Sequence, residues 1–146
     1  MILKIVKAVW FLSLLALFGS FLFIYAALPD QVIVHEGSVA VIISREVFFY
    51  TALIFMAIVN VMVFLVSRLY NPGAQDFQIW FYGLVITLNI FFIIAFNFVN
   101  LYNSSEKFDY NSIGYIIYGS VILVCCWAIS WPFYVLGRKL LNKQSV

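Results

Sequence analysis

Residues 77–105 read FQIWFYGLVITLNIFFIIAFNFVNLYNSS, a run of 29 residues without a charged side chain. Because an α-helix rises about 1.5 Å per residue, roughly 20 apolar residues are enough to cross the ~30 Å hydrocarbon core of a bilayer. The run is longer than one crossing needs, so the helix should either tilt or extend beyond the interface. We predict a membrane-spanning helix over 78–101, followed by a polar segment containing Glu106, Lys107 and Asp109.

Three further charge-free runs have the same character and predict spans over 8–28, 47–67 and 113–136. The first has the basic start of a signal peptide, but its apolar core exceeds the usual ~7–15 residues and Tyr25 stands where a small residue should precede cleavage. We interpret it as an uncleaved anchor. The 146 residues are therefore predicted to form a single all-α integral membrane domain, a four-transmembrane-helix bundle.

The overall composition supports this fold class. Hydrophobic residues make up 66% of the chain and charged residues 10%, and the mean hydropathy is +1.08, far from the profile of soluble domains. The lipid bilayer is thus the first partner that the sequence predicts. The net charge of +2 is small and the basic residues form no run, which argues against nucleic-acid binding.

The basic residues also predict the orientation, since Lys and Arg near span ends are retained on the cytoplasmic side. With both termini in the cytoplasm, six of the eight basic residues lie inside: Lys4, Lys7, Arg68, Arg138, Lys139 and Lys143. Tryptophans near the span ends, among them Trp10, Trp80 and Trp131, fit the aromatic belts found at membrane interfaces. We predict a multi-pass protein with both termini cytoplasmic.

The predicted spans lack the groups that membrane chemistry normally needs. No Asp, Glu, Lys, Arg or His lies in the middle of any span, although proton relays, ion pathways and haem sites use such groups. We therefore predict no catalytic residue, no cofactor and no metal site, and a protein that is not an enzyme. Cys125 and Cys126 are adjacent within an apolar run and give no spaced metal motif, so their role stays open.

Neutral polar side chains within the spans are candidates for helix packing, namely Asn60, Asn89, Asn97 and Asn100. An amide in hydrocarbon must find a hydrogen-bond partner or lose several kcal/mol. At about 100° per residue, Asn89 and Asn100 fall within about 20° of one helix face, with Asn97 roughly 60–80° away. This polar side of the third span predicts contacts between the protein's own helices, a seam facing a partner, or a path for a solute.

The segment between the first two spans is the candidate partner or ligand loop, with Asp30, His35, Glu36, Arg45 and Glu46 as its ionisable residues. Short β-type runs at 32–34 and 39–43 flank a turn sequence, which predicts either a short β-hairpin or an irregular interfacial loop. Pro29 should end the first helix at a fixed point. His35, the only histidine, could titrate or bind a cation, or simply be solvated.

The same segment carries a resemblance. Residues 28–35 read LPDQVIVH and residues 43–50 read ISREVFFY. Over about residues 20–65 the chain resembles the short uncharacterised N-terminal domain of SdpI-type bacterial membrane proteins, in which an LPxxxPxH run lies outside the membrane and a Ser-Lys-Glu-like segment opens the next helix. The resemblance implies a bacterial cytoplasmic (inner) membrane and an outward-facing first loop, and it assigns no residue a catalytic role.

Three functions are compatible with these features. The first is an accessory or assembly subunit that packs against a larger inner-membrane complex, or against further copies of itself, through the third span and the first loop. The second is an SdpI-like immunity or signalling protein that recognises an extracytoplasmic ligand through residues 30–46. The third is a small transporter or channel, which the absence of charges within the spans disfavours.

Overall fold

The computed structural model describes residues 1–35, 41–69, 75–104 and 110–143. In chain order these residues form α1 (Ile2–Ala27), β1 (Gln31–His35), β2 (Val41–Ser44), α2 (Arg45–Leu69), α3 (Gln75–Tyr102) and α4 (Tyr110–Lys143). All four helices are long and apolar enough to cross a membrane, which confirms that part of the predicted fold class. Most helix ends extend beyond the predicted spans, because polar and charged residues at the ends continue the helical backbone.

The end of α1 follows from the sequence. Leu28 caps the helix in an extended conformation, with φ −72° and ψ 142°. The ring of the following Pro29 disfavours helical geometry in the residue before it, so the chain leaves the helix here. Leu28 is nevertheless buried, which holds the exit point of the chain against the bundle.

The segment after α1 forms a two-stranded antiparallel sheet. Gln31 pairs with Ser44 and Ile33 with Ile42, and the register shifts between Ile33 and His35. Of the two predicted conformations for this segment, the paired strands are therefore correct. The turn predicted between them, at 36–38, lies outside the described residues.

Helix α3 is the central element of the bundle. It packs against α1, α2, α4 and β1, whereas α1 and α2 approach each other over only a few residues. Among the described elements, α4 packs against α3 alone. The helix α4 contains Pro132, whose ring nitrogen cannot donate the hydrogen bond that the carbonyl four residues earlier would accept.

Two apolar clusters form the core. The larger joins α1, α2 and α3 to the sheet and contains Leu17, Phe21, Ile24, Leu28, Val32, Phe48, Ala52, Met56 and Phe96. The smaller lies toward the start of α1 and α3 and contains Trp10, Val63, Tyr82 and Val85. Val32 is fully buried, so the sheet is part of the larger cluster and is not a detached loop.

Candidate functional site

Arg45 closes the segment between α1 and α2. Its guanidinium lies 2.9 Å from the carboxylate of Asp30 and donates to the carbonyl of Leu28 at 3.2 Å. The backbone N–H of Arg45 donates to the Asp30 carbonyl at 2.9 Å, and the guanidinium stands 5.5 Å from the centre of the Tyr25 ring. The structure thus brings together two of the predicted loop residues, and they tie the end of α1 to the start of α2.

Asn103, just beyond α3, fastens the sheet to the bundle from the other side. Its Oδ1 accepts the backbone N–H of Ile33 at 2.8 Å, and its Nδ2 donates to the carbonyl of Ile33 at 3.0 Å. The same Nδ2 donates to the Val99 carbonyl at 2.8 Å. The amide therefore pairs with β1 as a neighbouring strand would, and it holds the sheet over the end of α3.

The other predicted loop residues are less constrained by what the structure describes. His35 is the last residue of β1 and pairs with Val41 through the register of the sheet. Glu46 is exposed in the first turn of α2, where a carboxylate is favoured by the helix dipole. Glu36 and the side chain of His35 lie outside the described part of the chain, so their predicted role in binding stays a prediction.

A layer of polar side chains crosses the bundle between the two apolar clusters. Asn60 and Asn89 form a reciprocal amide pair, with Nδ2 to Oδ1 distances of 3.0 and 3.2 Å. Trp10 donates its indole N–H to Asn60 Oδ1 at 3.0 Å, and Asn89 Nδ2 also donates to Ser13 Oγ at 2.9 Å. The Asn60 amide donates in addition to the Met56 carbonyl at 3.0 Å. We call Trp10, Ser13, Asn60 and Asn89 the polar layer.

The polar layer lies near the middle of α1, α2 and α3, the depth at which an unpaired amide costs most in a membrane. Asn89 is fully buried and Asn60 is 6% exposed. Among the described residues, no buried side-chain nitrogen or oxygen lacks a hydrogen-bond partner. The buried amides of the layer are therefore satisfied by one another and by neighbouring groups, as in polar contacts between packed helices.

The remaining predicted asparagines do not join this layer. Asn97 is exposed and donates to the carbonyl of Ile93 in its own helix at 2.8 Å. Asn100 is half-buried, and its backbone carbonyl accepts the N–H of Asn103 at 3.2 Å. The structure thus couples Asn89 to another helix through Asn60, whereas Asn97 and Asn100 are separate from that pair.

Trp10 packs inside the bundle, a contact that the sequence pattern did not predict. Its side chain is only 9% exposed and lies against Phe64 and Tyr82 in edge contacts, while its position near the membrane interface stays a prediction. The spacing of Trp10 and Ser13, one helical turn apart, is the signal that could have placed them on one buried face. Trp10 helps to connect α1 to both α2 and α3.

A groove lies between α1 and α2, which contact each other over only a few residues. Its volume is about 250 Å³. The lining is apolar except for the indole and amide of the polar layer, and consists of Trp10, Leu14, Phe18, Leu53, Met56, Ala57, Asn60, Val61 and Phe64. Because the indole N–H and the amide are already hydrogen-bonded, the groove presents hydrocarbon to whatever fills it.

The contact between α3 and α4 depends on two indoles that the sequence pattern did not single out as a pair. Trp80 donates its N–H to the Trp127 carbonyl at 2.9 Å, and Trp127 donates its N–H to the Trp80 carbonyl at 2.9 Å. Trp80 Nε1 also lies 3.1 Å from Ser130 Oγ. A backbone carbonyl of each helix thus accepts a hydrogen bond from an indole of the other helix. Residue spacing along a single helix does not reveal such a pair of bonds between two helices.

Gly83 makes this close approach possible. A Cβ at this position would lie 2.7 Å from Cε2 and 2.9 Å from Nε1 of Trp127, and it would overlap the neighbouring Cζ2. Only glycine leaves room for the indole to lie against the backbone of α3. The close contact between α3 and α4 therefore requires both the glycine on α3 and the indole of Trp127 on α4.

Metal binding finds no support in the described residues. Within them, no three His, Cys, Asp or Glu side chains lie close enough to hold an ion. Cys125 and Cys126 are exposed free thiols on α4. No protein-family model, curated protein or solved structure matches the chain.

Proposed function

We propose that the chain is an integral protein of a bacterial cytoplasmic membrane, with both termini in the cytoplasm, and that it acts as an accessory or assembly subunit of a larger membrane complex. The observation that carries this proposal is the groove between α1 and α2. Its walls are apolar, its polar groups are already paired, and none of the other described elements fills it. A transmembrane helix of another protein, or of a second copy, has the chemistry to occupy such a groove.

The polar layer supports the same proposal. Buried Asn side chains that hydrogen-bond one another stabilise a bundle without providing a path for ions or solutes. The charged residues of the helices lie near their ends, which also favours a protein that associates over one that transports. Solute transport is the less favoured function for these reasons.

Site-specific photocrosslinking in cells tests the proposed partner surface. A photoreactive side chain at Val61, which lines the groove, is expected to give a discrete crosslinked protein at the native expression level. The matched control is Ile122 on α4, which is 61% exposed and should give lipid adducts only. A product of twice the monomer mass would identify a second copy as the occupant. Lipid adducts alone from Val61 would contradict the proposal.

Thiol labelling tests the proposed orientation. In a background with Cys125 and Cys126 replaced by Ser, Ser38→Cys and Ser105→Cys should react with a membrane-impermeant reagent added to intact cells. Ser145→Cys should react only after permeabilisation. Reaction at Ser145→Cys in intact cells would reverse the topology.

A second candidate function is recognition of an extracytoplasmic ligand by the sheet, as the SdpI-type resemblance implies. Val34, Val41 and Ile42 are 39%, 46% and 53% exposed on a sheet held by Arg45 and Asn103. A fixed surface with exposed apolar side chains suits recognition. The paired substitution His35→Ala and Glu36→Ala should abolish binding or the associated phenotype at wild-type expression and insertion. Retained binding would remove this candidate.

A further inference from the structure

A cleft of about 370 Å³ lies between the start of α3 and the second half of α4. It gathers three of the four tryptophans of the chain. Its principal lining residues are Asp76, Trp80, Trp127, Ser130, Trp131 and Tyr134. This is a concentration of large rings at the end of the bundle where the basic residues predict the cytoplasmic interface.

The wall of the cleft is mainly aromatic hydrocarbon. The ring centres of Trp80 and Trp131 are 5.5 Å apart, and those of Trp131 and Tyr134 are also 5.5 Å apart. The indole N–H groups of Trp80 and Trp127 are used in bonds to the helix backbones. Because these donors are occupied, the two side chains offer the cleft mainly the faces and edges of their rings, which suit an alkyl chain.

Positive charge stands at one edge of this wall. A second hollow of about 230 Å³ shares Trp131 and Tyr134 with the cleft and adds Arg138 and Lys139. Asp76 accepts a hydrogen bond from the Tyr134 hydroxyl at 2.9 Å and lies 3.4 Å from Arg138 Nη1. Asp76 thus offsets the charge of Arg138, while Lys139 makes no ion pair with any of the described residues. Among the described residues, the positive charge of Lys139 at this edge therefore has no carboxylate partner.

We propose that this cleft binds an anionic glycerophospholipid, with its phosphate beside Lys139 and Arg138 and an acyl chain along Trp80, Trp127 and Trp131. Basic residues at the cytoplasmic end of a membrane helix attract anionic headgroups, and the aromatic wall suits hydrocarbon. A free phosphate would gain nothing from the indoles, whereas the acyl chain of a lipid would pack against them. The proposal rests on the membrane insertion and orientation proposed above.

Tryptophan quenching in vesicles tests the proposal, because three of the four fluorophores line the cleft. The protein is reconstituted in phosphatidylcholine vesicles that contain a small fraction of lipid brominated near the headgroup end of its acyl chains. Brominated phosphatidylglycerol is expected to quench several-fold more strongly than brominated phosphatidylcholine at the same fraction. Repeating the titration with Trp10→Phe removes the fourth tryptophan, and the preference should persist.

Charge variants assign the preference to the cleft. Lys139→Gln is expected to lower the apparent affinity for phosphatidylglycerol about fivefold, and the matched control Arg68→Gln, a basic residue at the end of α2, should leave it unchanged. Lys139→Gln leaves the Asp76, Tyr134 and Arg138 contacts in place, so a folding defect is not expected. Equal quenching by the two headgroups, or an equal loss in Arg68→Gln, would overturn the proposal.

Further outcomes distinguish a failure of the proposed lipid site from a failure of the proposed membrane insertion. Relief of quenching by millimolar inorganic phosphate would assign the positive edge to a free anion and overturn the lipid assignment. Absence of quenching by either brominated lipid, together with release of the protein from membranes by alkaline carbonate, would refute membrane insertion itself. Strong quenching without a headgroup preference would refute only the lipid site.

Discussion

In the described part of the chain, the polar layer and the α3/α4 contact both join helices through hydrogen-bonded side chains, but the two arrangements differ. In the polar layer, side chains of α1, α2 and α3 bond mainly to one another, and Asn89 at its centre is fully buried. At the α3/α4 contact, indoles bond to backbone carbonyls beside an open cleft. The first arrangement needs three helices at once, whereas the second needs only two.

This difference predicts how the molecule comes apart. Helices α1, α2 and α3 share one network and two apolar clusters, so the loss of one member should weaken all three. Helix α4 has α3 as its only neighbour among the described elements, so its detachment should leave the other three helices associated. Local opening free energies are lowest where contacts are fewest.

The largest effect is expected from Gly83→Ala, which should separate α4 from α3. The new Cβ overlaps the Trp127 ring, and overpacking of this kind typically costs about 1–3 kcal/mol. Unfolding in mixed micelles titrated with SDS should report the loss, and hydrogen exchange should increase in α4 but not in α1. Faster exchange in α1 as well would show that the two regions form one cooperative unit.

Two variants control the Gly83→Ala experiment. Gly119→Ala places a Cβ in open space and should leave the free energy of unfolding unchanged or slightly higher, since alanine favours the helix. Trp127→Leu in the Gly83→Ala background removes the clashing ring and should recover part of the loss. No recovery would indicate that the damage does not arise at this contact.

A smaller loss, about 0.6–2 kcal/mol, is expected from Asn89→Leu. The substitution removes the partner of the Asn60 amide and of Ser13, so exchange should increase in α1, α2 and α3 together. Asn97→Leu is the matched control, because Asn97 is exposed and bonds to its own helix. If both variants unfold at the same SDS concentration, the amide pair contributes nothing measurable.

A double-mutant cycle sharpens this second prediction. Asn60→Leu combined with Asn89→Leu should cost less than the sum of the single variants, because each single variant already breaks the reciprocal pair. The coupling energy then measures the interaction between the Asn60 and Asn89 side chains under the conditions of the unfolding assay. Additive losses would mean that the two amides act independently despite their 3.0 Å contact.

The smallest of the three effects is expected at the sheet. Asn103→Leu removes the bonds to both backbone groups of Ile33 and should cost about 0.5–1.5 kcal/mol. Exchange of the Ile33 amide should accelerate selectively, while α4 stays unchanged. Asn100→Leu is the control, and equal acceleration in that variant would contradict the specific role of Asn103.

The outline of the fold could be predicted from the sequence because hydropathy and helix length act locally. Charge-free runs of sufficient length predict four helices, and Pro29 predicts where α1 ends. Among the candidate residues, the asparagines of the spans could be recognised as packing residues, because an unpaired amide in hydrocarbon costs free energy at any position. The pairing of Asn60 with Asn89, the burial of Trp10 and the bridge from Asn103 to Ile33 depend on which helices become neighbours, and periodicity along a single helix does not contain that information.

The sequence by itself determined that the chain has four membrane-length helices and that charge lies at their ends and in the segments between them, since both follow from the transfer free energies of individual side chains. Only the tertiary structure decided which polar groups satisfy one another. It put Asn89 beside Asn60 and Ser13, left Asn97 exposed, and set Trp127 against Gly83. The physical reason is that transfer energy depends on a residue alone, whereas a hydrogen bond or a close packing contact needs two partners at a defined distance, and that distance arises only when the helices pack.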